Sequence, residues 1–272
     1  MILRQEQKVV ELPNHLLIPF LEKGDQNGKA LIMLHGIADS CVAFEPMLPF
    51  LSKEFRSLAV TLRGHGDAGK PETGYSTSDF VEDLVLFLDK LGIEKAVLLG
   101  ASSGGFPARS FAAAYPERTE GLILLGSPAV LGDKPGVKKL WDEVISKLED
   151  PISENFVQSF SQGLETGNIP EDYLEIIVKE NLKAPARVWI KTIQGIMEEP
   201  FPGTLGQIKA ETLILWGDQD VISTREDQEM LEKAISNASL RVLSGLGHLL
   251  YWESPERVAK EINEFLKSNN KS

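Results

Sequence analysis

Short apolar runs alternate along the chain with longer amphipathic segments, and this alternation predicts a parallel β-sheet covered by helices. The apolar runs are rich in leucine, isoleucine and valine and too short for helices, which is typical of buried parallel strands. Predicted strands occupy residues 12–21, 30–34, 58–62, 96–99, 121–125, 212–216 and 239–243. Predicted helices occupy residues 42–55, 78–91, 224–235 and 255–267, and one more ends near Tyr115.

The fold class that follows is α/β: a mostly parallel, twisted, eight-stranded sheet with helices on both faces. The first two runs, 12–21 and 30–34, flank a turn of sequence Gly-Asp-Gln-Asn-Gly at residues 24–28. This arrangement predicts an antiparallel hairpin that opens the sheet. The length of 272 residues suits one large domain with room for an inserted subdomain.

The alternation stops after the sixth strand, where about 70 residues contain only helical patterns. Such a segment is far longer than an ordinary connection between strands, so we interpret it as a helical lid rather than a loop. We therefore expect residues 1–130 and 205–272 to form the core and residues 131–204 to form the lid. Helical patterns in the lid cover residues 141–148, 152–164, 173–182 and 188–197.

A G-x-S-x-G pentapeptide, Gly100-Ala101-Ser102-Ser103-Gly104, joins the predicted strand at 96–99 to a helical pattern. A serine in such a turn adopts a strained backbone conformation with its hydroxyl exposed above the sheet, and small residues on either side relieve the crowding. The pentapeptide alone occurs by chance too often to decide a function, but a strand before it and a helix after it are the required context. Ser102 is the predicted nucleophile.

An acid and a base follow the last two predicted strands. Asp218 and Asp220 come directly after the strand at 212–216, and His248 follows the strand at 239–243. Reactive groups collect at the carboxyl ends of strands in α/β sheets, and the order serine, acid, histidine is the one that a triad in this architecture requires. We predict that His248 accepts the serine proton and that Asp220 orients His248, with Asp218 as the less favoured acid.

Two backbone N–H groups, those of Ile37 and Ser103, are the predicted donors for the oxyanion of a tetrahedral intermediate. Ile37 follows His35-Gly36 at a strand end, and Ser103 follows the nucleophile. His35 is better placed to brace this loop than to transfer protons. The single cysteine, Cys41, is expected to be a small apolar filler.

The charge and composition of the chain limit the classes of molecule that it is expected to bind. The formal net charge of -12 argues against nucleic acids and anionic membrane surfaces, so we expect a small-molecule substrate and neither of those partners. The beginning of the sequence has no apolar signal region, which favours a cytoplasmic location. One cysteine excludes a cysteine-based zinc site, and no metal is predicted. The G-x-G-x-x-G match at residues 64–69 is not followed by a helical pattern, so no cofactor is predicted either.

These residues together resemble the lidded serine hydrolases of the α/β-hydrolase superfamily, over about residues 30–267. The resemblance is carried by His35-Gly36, Arg63-Gly64-His65-Gly66, Gly100 to Gly105, Trp216-Gly217-Asp218-Gln219-Asp220 and Gly247-His248. In this superfamily, dehalogenases and epoxide hydrolases carry an aspartate at the nucleophile position, so the resemblance with Ser102 implies carboxylic ester hydrolysis. The chain departs from the family at Thr61, where many relatives have aspartate.

The resemblance also implies that lid residues select the substrate. Trp141 and Trp189 are candidates for an acyl pocket together with Phe156, Phe160 and Met197, although packing of the lid against the core is the simpler role for such side chains. Arg187, the only arginine of the lid, is a candidate anchor for a substrate carboxylate.

The leading hypothesis is a cofactor-free serine esterase for small to medium carboxylic esters or lactones, which works through an acyl-enzyme. Carbon–carbon bond hydrolysis and perhydrolysis are alternatives that use the same machinery. A hydrolase-like ligand sensor with little turnover is a third alternative. The natural substrate and the oligomeric state are left open.

Overall fold

The computed structural model describes residues 5–164 and 169–269. Its strands are β1 Lys8–Glu11, β2 Leu17–Gly24, β3 Ala30–Leu34, β4 Arg56–Val60, β5 Ala96–Ala101, β6 Thr119–Leu125, β7 Thr212–Gly217 and β8 Ala238–Leu243. They form one eight-stranded sheet in the order β1-β2-β4-β3-β5-β6-β7-β8. β2 pairs antiparallel with β1 and β4, and all the other pairs are parallel. The predicted mostly parallel sheet is confirmed.

Helices cover both faces of this sheet, as predicted. They are α1 Thr77–Lys90, α2 Gly105–Ala114, α3 Pro135–Glu143, α4 Glu154–Gln162, α5 Glu171–Asn181, α6 Ala186–Glu198, α7 Arg225–Ala234, α8 Leu250–Glu253 and α9 Pro255–Asn269. None of these described helices combines the length and the apolar character that a bilayer-spanning helix needs.

The core is divided by the sheet into two layers because successive side chains of a strand point to opposite faces. All five residues of the central strand β3 are buried. Leu31 and Met33 join the layer under α9, whereas Ile32 and Leu34 join the layer under α1, α2 and α7. Burial on both faces explains why the parallel strands appear as continuous apolar runs.

The predicted hairpin between residues 12–21 and 30–34 is wrong. β3 lies in the centre of the sheet between β4 and β5, and β2 pairs instead with β1 and β4. The true hairpin joins β1 to β2 through a loop closed by the hydrogen bond from Leu12 N to Leu16 O. Both leucines are buried, and their apolar character extended the predicted strand into this loop.

The predicted helix at residues 42–55 is also wrong. Two short 3₁₀ turns, Cys41–Phe44 and Leu48–Phe50, occupy this segment. Pro46 and Pro49 lack the backbone N–H that a continuous helix requires, which breaks the segment into short turns. The apolar spacing still serves the core, because all the apolar residues of these turns except the exposed Phe50 belong to a buried core cluster.

Four helices, α3 to α6, lie between β6 and β7, and the described residues of this stretch contain no strand. The predicted helical insertion after the sixth strand is thus present, and residues 165–168 within it lie outside the described part of the chain. Its apolar side chains, among them Val188 and Ile193, form a cluster with Tyr75 and Phe80 at the start of α1. The division into a core and a lid stays a prediction.

The chain enters the insertion through a junction held by the core. Arg109 of α2 is fully buried and donates from Nη1 to Pro128 O at 3.0 Å and from Nη2 to Ala129 O at 2.9 Å. Asp227 of α7 accepts from Ala129 N at 3.2 Å and from Lys134 Nζ at 2.8 Å. The two helices therefore fix the start of the insertion from outside it.

A buried ion pair fixes the loop after β4. Arg63 donates from Nε to Asp83 Oδ2 and from Nη2 to Asp83 Oδ1, both at 2.5 Å, and from Nη1 to Gly74 O at 2.8 Å. Both side chains of the pair are less than a tenth exposed. The pair joins the loop to α1, and without Asp83 the buried Arg63 would retain only a longer contact of 3.8 Å to Asp79 among its described ion pairs.

Asp83→Ala should therefore lower the free energy of unfolding by about 3–5 kcal/mol. Asp89→Ala is the matched control on the same helix, because Asp89 forms a more exposed ion pair with Arg118 and should cost less than about 1 kcal/mol. Urea denaturation followed by circular dichroism measures both values. Equal losses in the two variants would contradict the assigned role of the Arg63–Asp83 pair.

Candidate active site

The turn after β5 holds Ser102 in an unusual backbone conformation. Its φ angle is +50°, a region that residues with a side chain rarely adopt. A Cβ on Gly100 would lie 2.4 Å from Gly104 O, and a Cβ on Gly104 would lie 2.3 Å from Leu34 O. Only glycine fits at these two positions, so the pentapeptide allows the sharp strand-to-helix turn that lifts the Ser102 hydroxyl above the sheet.

The structure brings Ser102, His248 and Asp220 together, although they are far apart in sequence. Ser102 Oγ donates to His248 Nε2 at 2.8 Å, and His248 Nδ1 donates to Asp220 Oδ2 at 2.9 Å. The three side chains follow β5, β8 and β7, and the carboxyl ends of these parallel strands share one edge of the sheet. The arrangement can take a proton from the serine hydroxyl and stabilise the resulting imidazolium.

Asp220 is surrounded by donors. Its Oδ1 accepts from Ile222 N at 2.8 Å and from Ser223 N at 3.0 Å, and its Oδ2 accepts from Ser223 Oγ at 2.5 Å. Burial raises the pKa of this carboxyl, but the positive charge of a protonated His248 and the hydrogen bonds from His248, Ser223 and Ile222 outweigh burial and lower the pKa. Asp220 therefore remains ionised beside His248.

Asp218 does not reach His248. Its side chain is exposed and accepts a hydrogen bond from Gly245 N at 2.7 Å. That bond, followed by one from Gln219, lowers the pKa of the Asp218 carboxyl. The structure thus places Asp218 on a neighbouring turn and gives the position beside His248 to Asp220.

Ile37 and Ser103, the predicted oxyanion donors, both line the cavity that contains Ser102. Within the described residues the backbone N–H of Ile37 has no hydrogen-bond partner. Ser103 is the second residue of the 3₁₀ turn Ser102–Gly104, where the first N–H groups have no partner within the helix. Gly36 keeps the two segments close, since a Cβ on Gly36 would lie 3.4 Å from the Cβ of Ser102.

His35 braces the loop that carries Ile37. Its Nδ1 donates to Gly36 O at 2.7 Å, and its Nε2 accepts from Leu62 N at 2.9 Å. Burial, with a smaller contribution from nearby His65, holds the pKa of His35 well below its usual value. A neutral His35 with both ring nitrogens engaged is a structural residue.

The cavity at the end of the triad has a volume of about 400 Å³. Ser102 and His248 lie in its wall, and the inserted helices supply most of the rest as apolar side chains: Val137, Leu140, Val144, Ile145, Phe156, Phe160, Leu164 and Ile193. No lysine or arginine of the described residues lines it. The cavity therefore favours an uncharged, apolar group next to the nucleophile.

The three predicted lid contacts to substrate do not reach this cavity, and Met197 does not either. Trp189 is buried behind the wall and packs edge-on against Phe156 and Phe160 at centroid distances of 5.3 and 5.1 Å. Trp141 packs against the same inner cluster. Arg187 donates to Lys70 O at 2.8 Å and lies 3.5 Å from Glu72, so it cannot anchor a substrate carboxylate here. The spacing of apolar residues in the sequence predicts a helix but does not indicate which face of that helix meets the cavity.

A family model described as the alpha/beta hydrolase fold matches residues 29–255, which is most of the chain. The chain belongs to the alpha/beta-hydrolase family.

Relatives of this hydrolase act on several kinds of compound. It is 28% identical over 275 residues to the 2-hydroxy-6-oxononadienedioate/2-hydroxy-6-oxononatrienedioate hydrolase of Burkholderia vietnamiensis, covering 95% of this chain and 94% of the relative. It is 25% identical over 255 residues to the 2-(acetamidomethylene)succinate hydrolase of Mesorhizobium japonicum, covering 90% of each. A thermophilic esterase from Thermogutta terrifontis superposes with a TM-score of 0.82 at 26% identity, covering 97% of this chain and 99% of that structure.

Two polar side chains of the cavity wall were missed by sequence reasoning. Asp39 lies four residues after His35, and Tyr251 lies three residues after His248. Both are buried. Their closeness in sequence to the oxyanion donor Ile37 and to the base His248 is the signal that would have identified them, because Asp39 lies in the segment after β3 and Tyr251 in α8, just after His248.

The thiol of Cys41 is not a second nucleophile of this hydrolase. Cys41 is fully buried, and burial raises the pKa of its thiol to about 12. Its backbone N–H donates to Thr61 Oγ1 at 3.1 Å, which gives Thr61 a structural role. Among the described residues, no group of three or more histidine, cysteine or acidic side chains is arranged to hold a metal ion.

Cys41 should therefore resist iodoacetamide at mildly alkaline pH in the native protein, because a buried, protonated thiol does not react. After unfolding in urea the same cysteine should take up one equivalent, since the chain contains one cysteine. Mass spectrometry of both samples measures the difference. Equally rapid labelling of native and unfolded protein would show that the thiol is accessible.

Proposed function

We propose that this protein is a serine hydrolase that cleaves small to medium carboxylic esters or lactones through an acyl-enzyme. The observation that carries the proposal is the hydrogen-bonded chain from Ser102 through His248 to Asp220, which opens into an apolar cavity of about 400 Å³. The structurally similar esterase from Thermogutta terrifontis, which is 26% identical in sequence, supports the same reaction class for this chain.

In the acylation half-reaction, Ser102 Oγ attacks the ester carbonyl carbon while His248 Nε2 takes the hydroxyl proton. The oxyanion that forms accepts hydrogen bonds from the N–H groups of Ile37 and Ser103. When the carbon–oxygen bond breaks, the leaving alkoxide receives the proton from His248 and departs as an alcohol. Asp220 remains ionised and stabilises the imidazolium throughout.

In the deacylation half-reaction, water replaces the alcohol. His248 Nε2 removes a proton from the water as it attacks the acyl-enzyme carbonyl, and the same two N–H groups hold the second oxyanion. Collapse of this intermediate returns the proton to Ser102 Oγ and releases the carboxylic acid. For a lactone, the alcohol and the acid leave as one hydroxy acid.

The wall of the cavity argues for uncharged substrates. Burial of apolar acyl or alcohol groups against Leu140, Phe156, Phe160 and Ile193 contributes binding energy in proportion to the area removed from water. A substrate carboxylate would enter the same space without a cation to pair with, which is costly. Esters and lactones without a free carboxylate therefore fit the site best.

Carbon–carbon bond hydrolysis is the second candidate, because a relative with 28% identity is named as a hydrolase of dienedioates. The position of Arg187, outside the cavity and bonded to Lys70 O, speaks against a dicarboxylate substrate in this chain. Nothing in the geometry favours perhydrolysis over attack by water. The hydrogen-bonded triad favours turnover over a sensor.

An acyl-length series of 4-nitrophenyl esters, from acetate to decanoate, tests the proposal with wild type and Ser102→Ala. In wild type kcat/KM should rise with acyl length until the cavity is filled and fall thereafter. Ser102→Ala should lower kcat about a million-fold if the triad acts as a unit. Ester turnover retained in this variant, or turnover of a dienedioate in the absence of any ester turnover, would overturn the proposal.

The two aspartates after β7 provide a matched pair of variants. Asp220→Asn should lower kcat about 10⁴-fold, because the amide no longer holds the imidazole in the required tautomer or stabilises its cation. Asp218→Asn should leave kcat nearly unchanged, since the Asp218 side chain accepts hydrogen bonds from Gln219 and from Gly245 N and does not reach His248. Stopped-flow or steady-state assays on the best ester rank the two, and the reverse ranking would reject Asp220 as the acid.

A further inference from the structure

Tyr251 places a buried hydroxyl without a partner at the cavity. The side chain belongs to α8, lines the cavity and is 1% exposed. Its ring stacks on Phe44 and packs edge-on against Trp252, which holds it in place. The hydroxyl has no hydrogen-bond partner among the described residues. Buried hydroxyls are normally hydrogen-bonded, so an unpaired one in a cavity wall points to a partner on the ligand.

Asp39 lies in the same wall, beside the oxyanion loop. Its Oδ2 lies 3.7 Å from the point where a Cβ on Gly36 would be, and the Cβ of Ser102 lies 3.4 Å from that point. The side-chain amide of Asn181, oriented to suit its neighbours, donates to Asp39 Oδ1 at 3.0 Å. One carboxyl oxygen is thus held from behind by α5, and the other lies on the Gly36 side, close to the nucleophile.

The surroundings of the Asp39 carboxyl favour its neutral form. Complete burial, and then the negative charge of Glu180, raise its pKa well above the usual value. Glu180 is itself paired, because it accepts from Lys183 Nζ at 3.0 Å and from Ser40 Oγ at 3.2 Å, so that lysine does not neutralise Asp39. An ionised Asp39 would repel an oxyanion held by Ile37, whereas a neutral carboxyl does not.

We propose that Asp39 and Tyr251 form a polar subsite of the cavity that binds an uncharged hydroxyl group of the substrate, away from the ester bond. A carboxylic acid and a phenol can each donate and accept, so a substrate hydroxyl can donate to one and accept from the other. This inference rests on the proposed function and narrows its substrate class to hydroxylated esters. Neither residue takes part in the acyl transfer itself.

The subsite excludes two related groups. A methyl group in the place of the hydroxyl would leave the Tyr251 hydroxyl and the Gly36-side oxygen of Asp39 without a ligand partner in a buried site, which a site built for hydrogen bonding rejects strongly. A carboxylate would enter a wall to which the described residues contribute no lysine or arginine. Discrimination between hydroxyl, methyl and carboxylate is therefore the property to measure.

Three pairs of esters differ only by a hydroxyl replaced with a methyl group: phenyl lactate and isobutyrate, phenyl β-hydroxybutyrate and isovalerate, and hydroxyethyl and propyl benzoate. They place the hydroxyl at three different distances from the ester bond. In wild type at least one pair should show kcat/KM about tenfold higher for the hydroxylated ester. A preference for the methyl compound in all three pairs would overturn the proposal.

Variants then test the assigned residues. Tyr251→Phe removes a hydroxyl that has no hydrogen-bond partner in the described part of the chain, so the fold should be retained, and the tenfold preference should be lost. Asp39→Leu should lose the preference as well, whereas Asp39→Asn, which still donates and accepts, should keep it. Tyr173→Phe is the matched control, because this buried hydroxyl donates to Val42 O and does not line the cavity. An unchanged preference in Tyr251→Phe would overturn the proposal.

Binding to Ser102→Ala separates the subsite from the reaction. Titration calorimetry with the same ester pairs should give about tenfold tighter binding of a hydroxylated ester, abolished by adding Tyr251→Phe. If no ester is turned over by wild type but this binding preference is found, the esterase proposal fails and the subsite stands. If esters are turned over and no Tyr251-dependent binding preference is found, the subsite fails and the esterase proposal stands.

Discussion

The positive φ angle of Ser102 is the constraint on which the site depends. β5 lies at the centre of the sheet, and the chain must leave it at once for α2, which is possible only because Gly100 and Gly104 lack a Cβ. This turn puts the serine hydroxyl above the sheet and starts a helical turn at Ser102, so that the N–H group of Ser103 lies next to the nucleophile. Strain is stored at one residue, and the packing of the central strand holds it there.

Two buried carboxyls in the same region, those of Asp220 and Asp39, differ in protonation. The neighbours of each carboxyl determine whether its ionised or its neutral form is favoured. Asp220 receives hydrogen bonds from Ser223 and Ile222 and lies beside a histidine that becomes cationic, and it stays ionised. Asp39 is buried beside another acid, Glu180, and stays neutral. A negative charge is thus present where an imidazolium forms and absent where an oxyanion forms.

The sequence revealed those parts of the site that are written in short, local patterns. Ser102 could be found from its pentapeptide, and Asp220 and His248 from their places after predicted strands, because chain order and strand ends determine where such residues meet. Asp39 and Tyr251 could not be paired in this way, since their shared place in the cavity wall depends on how the loop after β3 packs against α8. The orientation of Trp189 and Arg187 depends on the rotation of α6 about its axis, which helical spacing alone does not define.

Arg109 has a consequence for how this hydrolase can diversify. The guanidinium is buried in α2, directly behind the turn of Ser102, lies 4.2 Å from the ring centroid of Phe106, and holds the carbonyls of Pro128 and Ala129. The chain is thus clamped by the core before the inserted helices begin. Substitutions further along in α3 to α6 can reshape the pocket without moving the nucleophile, so that selection can exchange one substrate for another while the reaction chemistry is inherited unchanged.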